Sequence, residues 1–191
     1  MPGRQNFAVS RESESKMINK EEVFAMTVKV GDKFPGGKIW EFIDEDTPGC
    51  TLGPNEFDVQ DQIKGKRIAL FALPGAYTPT CSAKHLPGYV EKAGELKQKV
   101  DEIWCLAVND PFVMGAWGRQ NGANGKVRMI SDGNGELTKK LGMELDLSSR
   151  GIGVRSQRYS MLIDNGEVKS LNVEGPGKFE VSDADTMLKQ V

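Results

Sequence analysis

The sequence predicts an α/β domain in which helices layer a mixed β-sheet. Residues 67–73 and 103–108 are continuous apolar runs bounded by polar residues, the pattern of central strands covered on both faces. A long stretch that can be helical separates them. Further along, Asp164-Asn165-Gly166 stands between two β-type runs, 159–163 and 168–173, and is a strong hairpin signal.

In chain order, residues 1–26 read as a polar N-terminal extension and 27–191 as one domain. The extension balances four basic against four acidic side chains and has no apolar core segment, so it is neither a secretory signal nor a good transit peptide. Residues 28–34 and 38–43 have strand-like pattern around Pro35-Gly36-Gly37. Residues 44–55 form a loop rich in Asp, Pro and Gly, 56–60 an edge strand, and 60–65 a helical turn. The apolar strand 67–73 leads through a turn into a helix over 82–100, and strand 103–108 follows. Pro111 suits the first turn of a helix over 112–121. A strand at 127–130, a short helix near 136–141 and the hairpin come next. Ser182, with Asp185 three residues on, reads as the cap of a last helix over 183–190. The order is β-α-β-α-β-α-β-β-α.

The turn between strand 67–73 and the following helix is Pro74-Gly75-Ala76-Tyr77-Thr78-Pro79-Thr80-Cys81. It puts a cysteine at a helix start, where backbone N–H groups lack internal partners and the helix dipole is positive. Thiols in such places titrate below their ordinary ~8.5 and present more thiolate, the nucleophilic form. Pro74 and Pro79 stiffen the turn. Thr78 offers a hydroxyl that both donates and accepts.

Pro-x-x-x-Thr-x-x-Cys, as Pro74, Thr78 and Cys81, resembles the active-site signature of the peroxiredoxins. The string PGAYTPTCSAKHLPGYV resembles the type-5 (type II) branch, as do IWCLAVNDPFVMGAWGR, VRMISDGNGELTKKLGMELDL and GVRSQRYSMLIDNGEVKSLNVE. The likeness covers about residues 28–191. It implies a thioredoxin-like fold with N-terminal strand additions, and a thiol peroxidase that needs no cofactor and no metal. Cys81 would become a sulfenic acid on meeting hydrogen peroxide or an alkyl hydroperoxide. Glutathione with glutaredoxin, or thioredoxin, would then restore it. The resemblance makes Thr78 a holder of the peroxide oxygen, Pro74 a cap on the pocket, and Arg158 a cation against the thiolate, with Arg155 as the alternative. A guanidinium fits that role because it stays charged and donates in a rigid fork.

His85 lies one helical turn after Cys81, and the resemblance makes it a supporting residue at the pocket rather than an obligatory base. Cys105 sits in strand 103–108 and reads first as a buried core thiol. Plant-like relatives make a cysteine there a candidate resolving partner. Cys50 reads as an exposed loop thiol. Phe112, Val113, Met114 and Trp117 crowd two helical turns on more than one face. The segment resembles part of the surface through which type-5 relatives pair, which implies a homodimer; a helix wedged between sheet and loops is the alternative for the same crowding.

Composition narrows the remaining classes. With 191 residues the chain buries roughly 70% of its unfolded surface and needs no staples. A formal charge of −2 and a pI near 5.6 give no electrostatic case for nucleic acid or a membrane surface. Three cysteines and one histidine argue for a reducing, cytoplasmic setting and against a disulfide scaffold or a structural zinc site. A thioredoxin-like disulfide oxidoreductase would need a Cys-x-x-Cys, and Thr78 and Lys84 stand at the partner positions. A non-catalytic binding or chaperone protein on the same fold is the second reading.

Overall fold

The computed structural model describes residues 27–44 and 51–191; the N-terminal extension and Cys50 lie outside the described residues. Its strands are β1 (Lys38–Ile43), β2 (Gly53–Asp58), β3 (Arg67–Ala72), β4 (Glu102–Ala107), β5 (Arg128–Ser131), β6 (Glu144–Asp146), β7 (Val154–Ser156), β8 (Tyr159–Asp164) and β9 (Glu167–Val173). Its helices are α1 (Val59–Ile63), α2 (Leu86–Glu91), α3 (Ala93–Leu96), α4 (Pro111–Gln120), α5 (Glu136–Lys140) and α6 (Ala184–Leu188).

Seven strands form one mixed sheet in the order β2-β1-β5-β4-β3-β8-β9. β3, β4 and β5 are parallel at its centre, while β8 runs antiparallel to β3 and β1 antiparallel to β5. This is the thioredoxin-like arrangement, with β1 and β2 added at one edge. The period-2 alternation of the strands splits the core in two. Ala69, Phe71 and Cys105 face α2, α3, α4 and α6 through Leu86, Tyr89, Leu96, Met114 and Met187. Ile68, Leu70 and Leu106 face the other way, onto α1 and α5 through Val59, Ile63 and Leu137. The three layers account for the unbroken apolar runs at the centre.

Two glycines set how closely one helix layer sits. A Cβ on Gly115 would lie 2.7 Å from Phe42 Cβ, and one on Gly118 would lie 2.6 Å from Met129 Cγ. Helix α4 therefore packs its backbone against β1 and β5, which no larger residue at these positions permits.

Four expectations need correction. Residues 28–34 are not a strand: they touch β9 through one isolated bridge, Lys33 to Glu167, and single backbone bonds. The left-handed φ of +92° at Gly31 breaks the extended run. The helix over 82–100 is broken. Pro87 has no N–H to give to Ala83, and its ring crowds that carbonyl. The preceding turn widens into a π-helix over Cys81–His85, in which Leu86 N–H reaches back to the Cys81 carbonyl. A second break falls at Lys92, between α2 and α3. The last helix is capped by Asp183, whose carboxylate accepts from Thr186 N–H, rather than by Ser182. β2 begins at Gly53, inside the expected loop, and pairs with β1 along its whole length. Sequence reading also passed over the small β6–β7 hairpin, whose strands are only three residues each.

Candidate active site

The site stands where β3 ends. Its turn is held from several sides. Ala76 N–H donates to Asn109 Oδ1 at 3.0 Å, and Thr78 Oγ1 donates to the Gly75 carbonyl at 2.9 Å. Ser82 N–H closes on the Thr78 carbonyl at 3.0 Å, and the Trp117 indole donates to Ser82 Oγ at 3.1 Å. Tyr77 takes a φ of +60°, the left-handed region that residues other than glycine seldom occupy. Strain of this kind persists only where the surroundings over-determine it, and it clusters at functional sites.

Cys81 opens the π-helical turn and is fully buried. Its sulfur meets Arg158, whose Nη2 donates to Sγ at 3.4 Å. Arg158 enters from the residue just before β8, and its Nη1 lies 3.0 Å from His85 Nδ1. A guanidinium only donates, so Nδ1 must be the acceptor and the ring proton sits on Nε2. From there it donates to the Ser182 carbonyl at 3.1 Å. Burial first, and the Arg158 charge second, push the His85 imidazole down to about 3. It is a neutral bridge at ordinary pH, not a base. Arg155, the alternative cation, spends its donors elsewhere: Nη1 on the Val108 carbonyl and Nε on the Ile152 carbonyl, each at 2.9 Å.

Pro74, Thr78 and Arg158 also line a cavity of about 800 Å³ beside the buried sulfur, with Leu145, Leu147 and Pro176 among its apolar walls. The structure thus brings together Pro74, Thr78, Cys81, His85 and Arg158. Thr78 has its hydroxyl proton committed to the Gly75 carbonyl, which leaves its lone pairs to accept a hydrogen bond from another donor.

Comparison with known proteins gives this geometry a family. The Redoxin family model matches residues 29–188. Peroxiredoxin-2B of Arabidopsis thaliana is 50% identical over 163 residues, 85% of this chain and 97% of the relative. Reduced Prx3 of Vibrio vulnificus in complex with hydrogen peroxide is 44% identical with a TM-score of 0.78, covering 85% of this chain and 98% of that one. The chain belongs to the peroxiredoxin family. Likeness to the plant type II proteins, and to peroxiredoxin 5 of Alvinella pompejana at 35% identity and TM-score 0.72 over 85% of this chain and 97% of that one, places it in the type-5 branch. A Burkholderia cenocepacia crystal structure described as a thioredoxin reductase is also similar, at 57% identity and TM-score 0.85 over 86% of this chain and 98% of that one. That description does not transfer, because no Cys-x-x-Cys surrounds Cys81. This peroxiredoxin is a thiol-dependent peroxidase.

Among the described residues, Cys81 and Cys105 are both unbridged. Cys105 pairs with Phe71 across the central strands and is fully buried. Burial, then the neighbouring Cys81 charge, pushes its thiol well up, so it is a poor source of thiolate.

Residues that sequence reading missed complete the site. Asn109 holds the turn. Phe179 packs its ring 4.9 Å from that of His85 and 5.8 Å from the Arg158 guanidinium carbon. The Ser182 carbonyl holds His85 from behind, and Glu174 in turn holds Ser182. Their spacing from the cysteine motif carries no periodic signal, and only tertiary structure joins them to it.

Proposed function

We propose that Cys81 is the peroxide-reactive thiol, with Thr78 and Arg158 as its partners in the step. The observation that carries this is the Arg158 guanidinium donating to a buried cysteine sulfur at 3.4 Å. The thiolate attacks one peroxide oxygen and the O–O bond breaks. The sulfur keeps the attacked oxygen with its hydrogen as a Cys81 sulfenic acid, and the second oxygen departs as hydroxide or alkoxide, which takes a proton from solvent to become water or alcohol. Arg158 donors favour both the thiolate and the charge that grows on the leaving oxygen. Thr78, its own proton held by Gly75, accepts from the peroxide O–H and aims it. Pro74 borders the pocket and limits water. The cavity is far larger than hydrogen peroxide and its walls are apolar in part, which supports alkyl hydroperoxides as substrates too.

For the return step the reading is a one-cysteine enzyme. A small external thiol such as glutathione takes the sulfenic acid to a mixed disulfide, releasing water, and a second thiol or a glutaredoxin frees Cys81. Thioredoxin is the rival reductant. A Cys81–Cys105 bridge would need Cα atoms within about 7 Å, or else a backbone rearrangement, and Cys105 is fully buried in the central sheet. The test treats the reduced protein with one equivalent of peroxide without thiol, then compares turnover with glutathione plus glutaredoxin and with thioredoxin plus its reductase. A gain of one oxygen on Cys81 and faster glutathione turnover are expected. Loss of two hydrogens mapped to Cys81–Cys105, with turnover lost in Cys105→Ser, overturns the one-cysteine reading.

A homodimer is the proposed assembly. Phe112 on α4 is 60% exposed and Tyr77 on the active-site turn 53%, two large apolar side chains left open to solvent. Phe112 also packs its ring 5.6 Å from that of Phe42. Light scattering at micromolar concentration is expected to give twice the 21.0 kDa chain mass, and Phe112→Asp to give the monomer. A monomeric wild type counts against this assembly. A reducing, cytoplasmic setting suits the two unbridged thiols, and fractionation tests it against the chloroplast that some relatives are named for.

A further inference from the structure

We propose that Glu174, which lines the cavity's rim but spends its carboxylate bonds on the loop 175–183 and makes no hydrogen bond to Cys81, is a positioning residue for Arg158, acting through that loop and His85. The inference rests on the reading of Cys81 and Arg158 given above.

Loop 175–183 carries no helix or strand, so something else must fix it. One carboxylate oxygen does most of this. Glu174 Oε1 accepts from the backbone N–H of Glu180, Val181 and Ser182, and from Ser182 Oγ, each at 2.8 Å. Charge-assisted bonds of this type are roughly twice as strong as neutral ones. Burial opposes ionisation of Glu174, but donors from Val181, Ser182 and Glu180 outweigh it and hold the carboxyl below its usual range. Glu174 N–H in turn donates to the Arg158 carbonyl at 3.0 Å, so the loop is clipped to the backbone of the residue it serves.

The loop then presents two groups inward. The Ser182 carbonyl accepts from His85 Nε2 and, at 3.0 Å, from Tyr89 Oη. This sets the imidazole tautomer that leaves Nδ1 free to accept from Arg158. Phe179 covers both His85 and the guanidinium. Arg158 is thereby gripped on Nη1 and over its plane, which leaves Nη2 directed at Cys81 Sγ. If Glu174 is truncated, three backbone donors and a hydroxyl lose their acceptor. The loop relaxes, and the imidazole loses the carbonyl that fixes its proton. The guanidinium can then swing off the sulfur. A misplacement of about 1 Å at a reacting group can cost on the order of 10²-fold in rate.

The test is a double-mutant cycle of Glu174→Ala and Arg158→Met, read by stopped-flow oxidation of Cys81. Glu174→Ala alone is expected to slow the peroxide step by about tenfold to 10²-fold. Alkylation of Cys81 by iodoacetamide should slow in parallel. Glu174→Gln, which keeps an acceptor oxygen and loses the charge, should recover most of the rate. In the Arg158→Met background the Glu174 change should cost little more. Should Glu174→Ala fail to fold, Glu174→Gln carries the same cycle at smaller amplitude. A Glu174 effect that is absent, or equally large without Arg158, overturns the proposal while leaving the Arg158 reading intact. An Arg158→Met variant as fast as wild type overturns that reading and this one together.

Discussion

Cys81→Ser is expected to abolish peroxide turnover, by roughly 10³-fold or more, while the protein remains folded. The serine hydroxyl is a far weaker nucleophile than a thiolate. Nothing else near the pocket can replace it: Cys105 is locked in the central sheet with its thiol pushed up by burial, and His85 is neutral with both nitrogens engaged. Fold persistence follows from the site itself. Cys81 is fully buried, so a hydroxyl there without a partner would cost about 1–3 kcal/mol. Arg158 Nη2 already points a donor at that position, which offsets much of the loss. Peroxide consumption and a thermal unfolding curve measured on the same sample check both halves. Turnover within tenfold of wild type would move the chemistry away from Cys81.

The parts of this protein that could be read from its residues share a physical character. Each signal was local. The apolar runs of β3 and β4, the Asp164-Asn165-Gly166 turn of the β8–β9 hairpin and Pro111 opening α4 are determined by neighbours in the chain. The cysteine turn is of the same kind, and Pro74, Thr78 and Cys81 fall in eight consecutive positions. Failures came where local propensity loses to packing or to one special residue. Residues 82–100 have helical composition throughout, yet Pro87 widens the turn before it and a break at Lys92 follows. Residues 28–34 have the pattern of a strand but only graze the sheet edge. His85 shows the limit most clearly. Its spacing places it one helical turn from Cys81 but carries no sign of what its ring meets. In the structure Nδ1 meets Arg158, 73 residues further on. The roles of Glu174 and Ser182 at the site were invisible because the Glu174 carboxylate and the Ser182 carbonyl act across a loop with no periodicity.

Arg158→Met should slow the peroxide step by about 10²–10³-fold, the usual loss for one donor aimed at developing charge. Methionine keeps much of the apolar stem, so the packing against Phe179 partly survives and the loss falls mainly on the charge. Slower alkylation of Cys81 at neutral pH should accompany it. Arg155→Met is the control: its bonds go to the Val108 and Ile152 carbonyls, so it should act on stability more than on rate. A second readout separates an electrostatic role from a structural one. The chain has a single histidine, so one imidazole proton resonance reports His85 alone. With Arg158 present the ring is held down to about 3, chiefly by burial and next by the guanidinium charge. The folded protein then binds fewer protons here than the unfolded chain, whose histidine titrates near 6.5. The stability this supplies is complete above about pH 6.5 and erodes as pH falls toward 3. Removing the guanidinium takes away the second cause and leaves the first. The resonance in Arg158→Met should therefore titrate at higher pH than in wild type while staying below 6.5, and the acid erosion of stability should narrow to match. A peroxide step at the wild-type rate, with an unmoved His85 titration, would show that the guanidinium governs neither group.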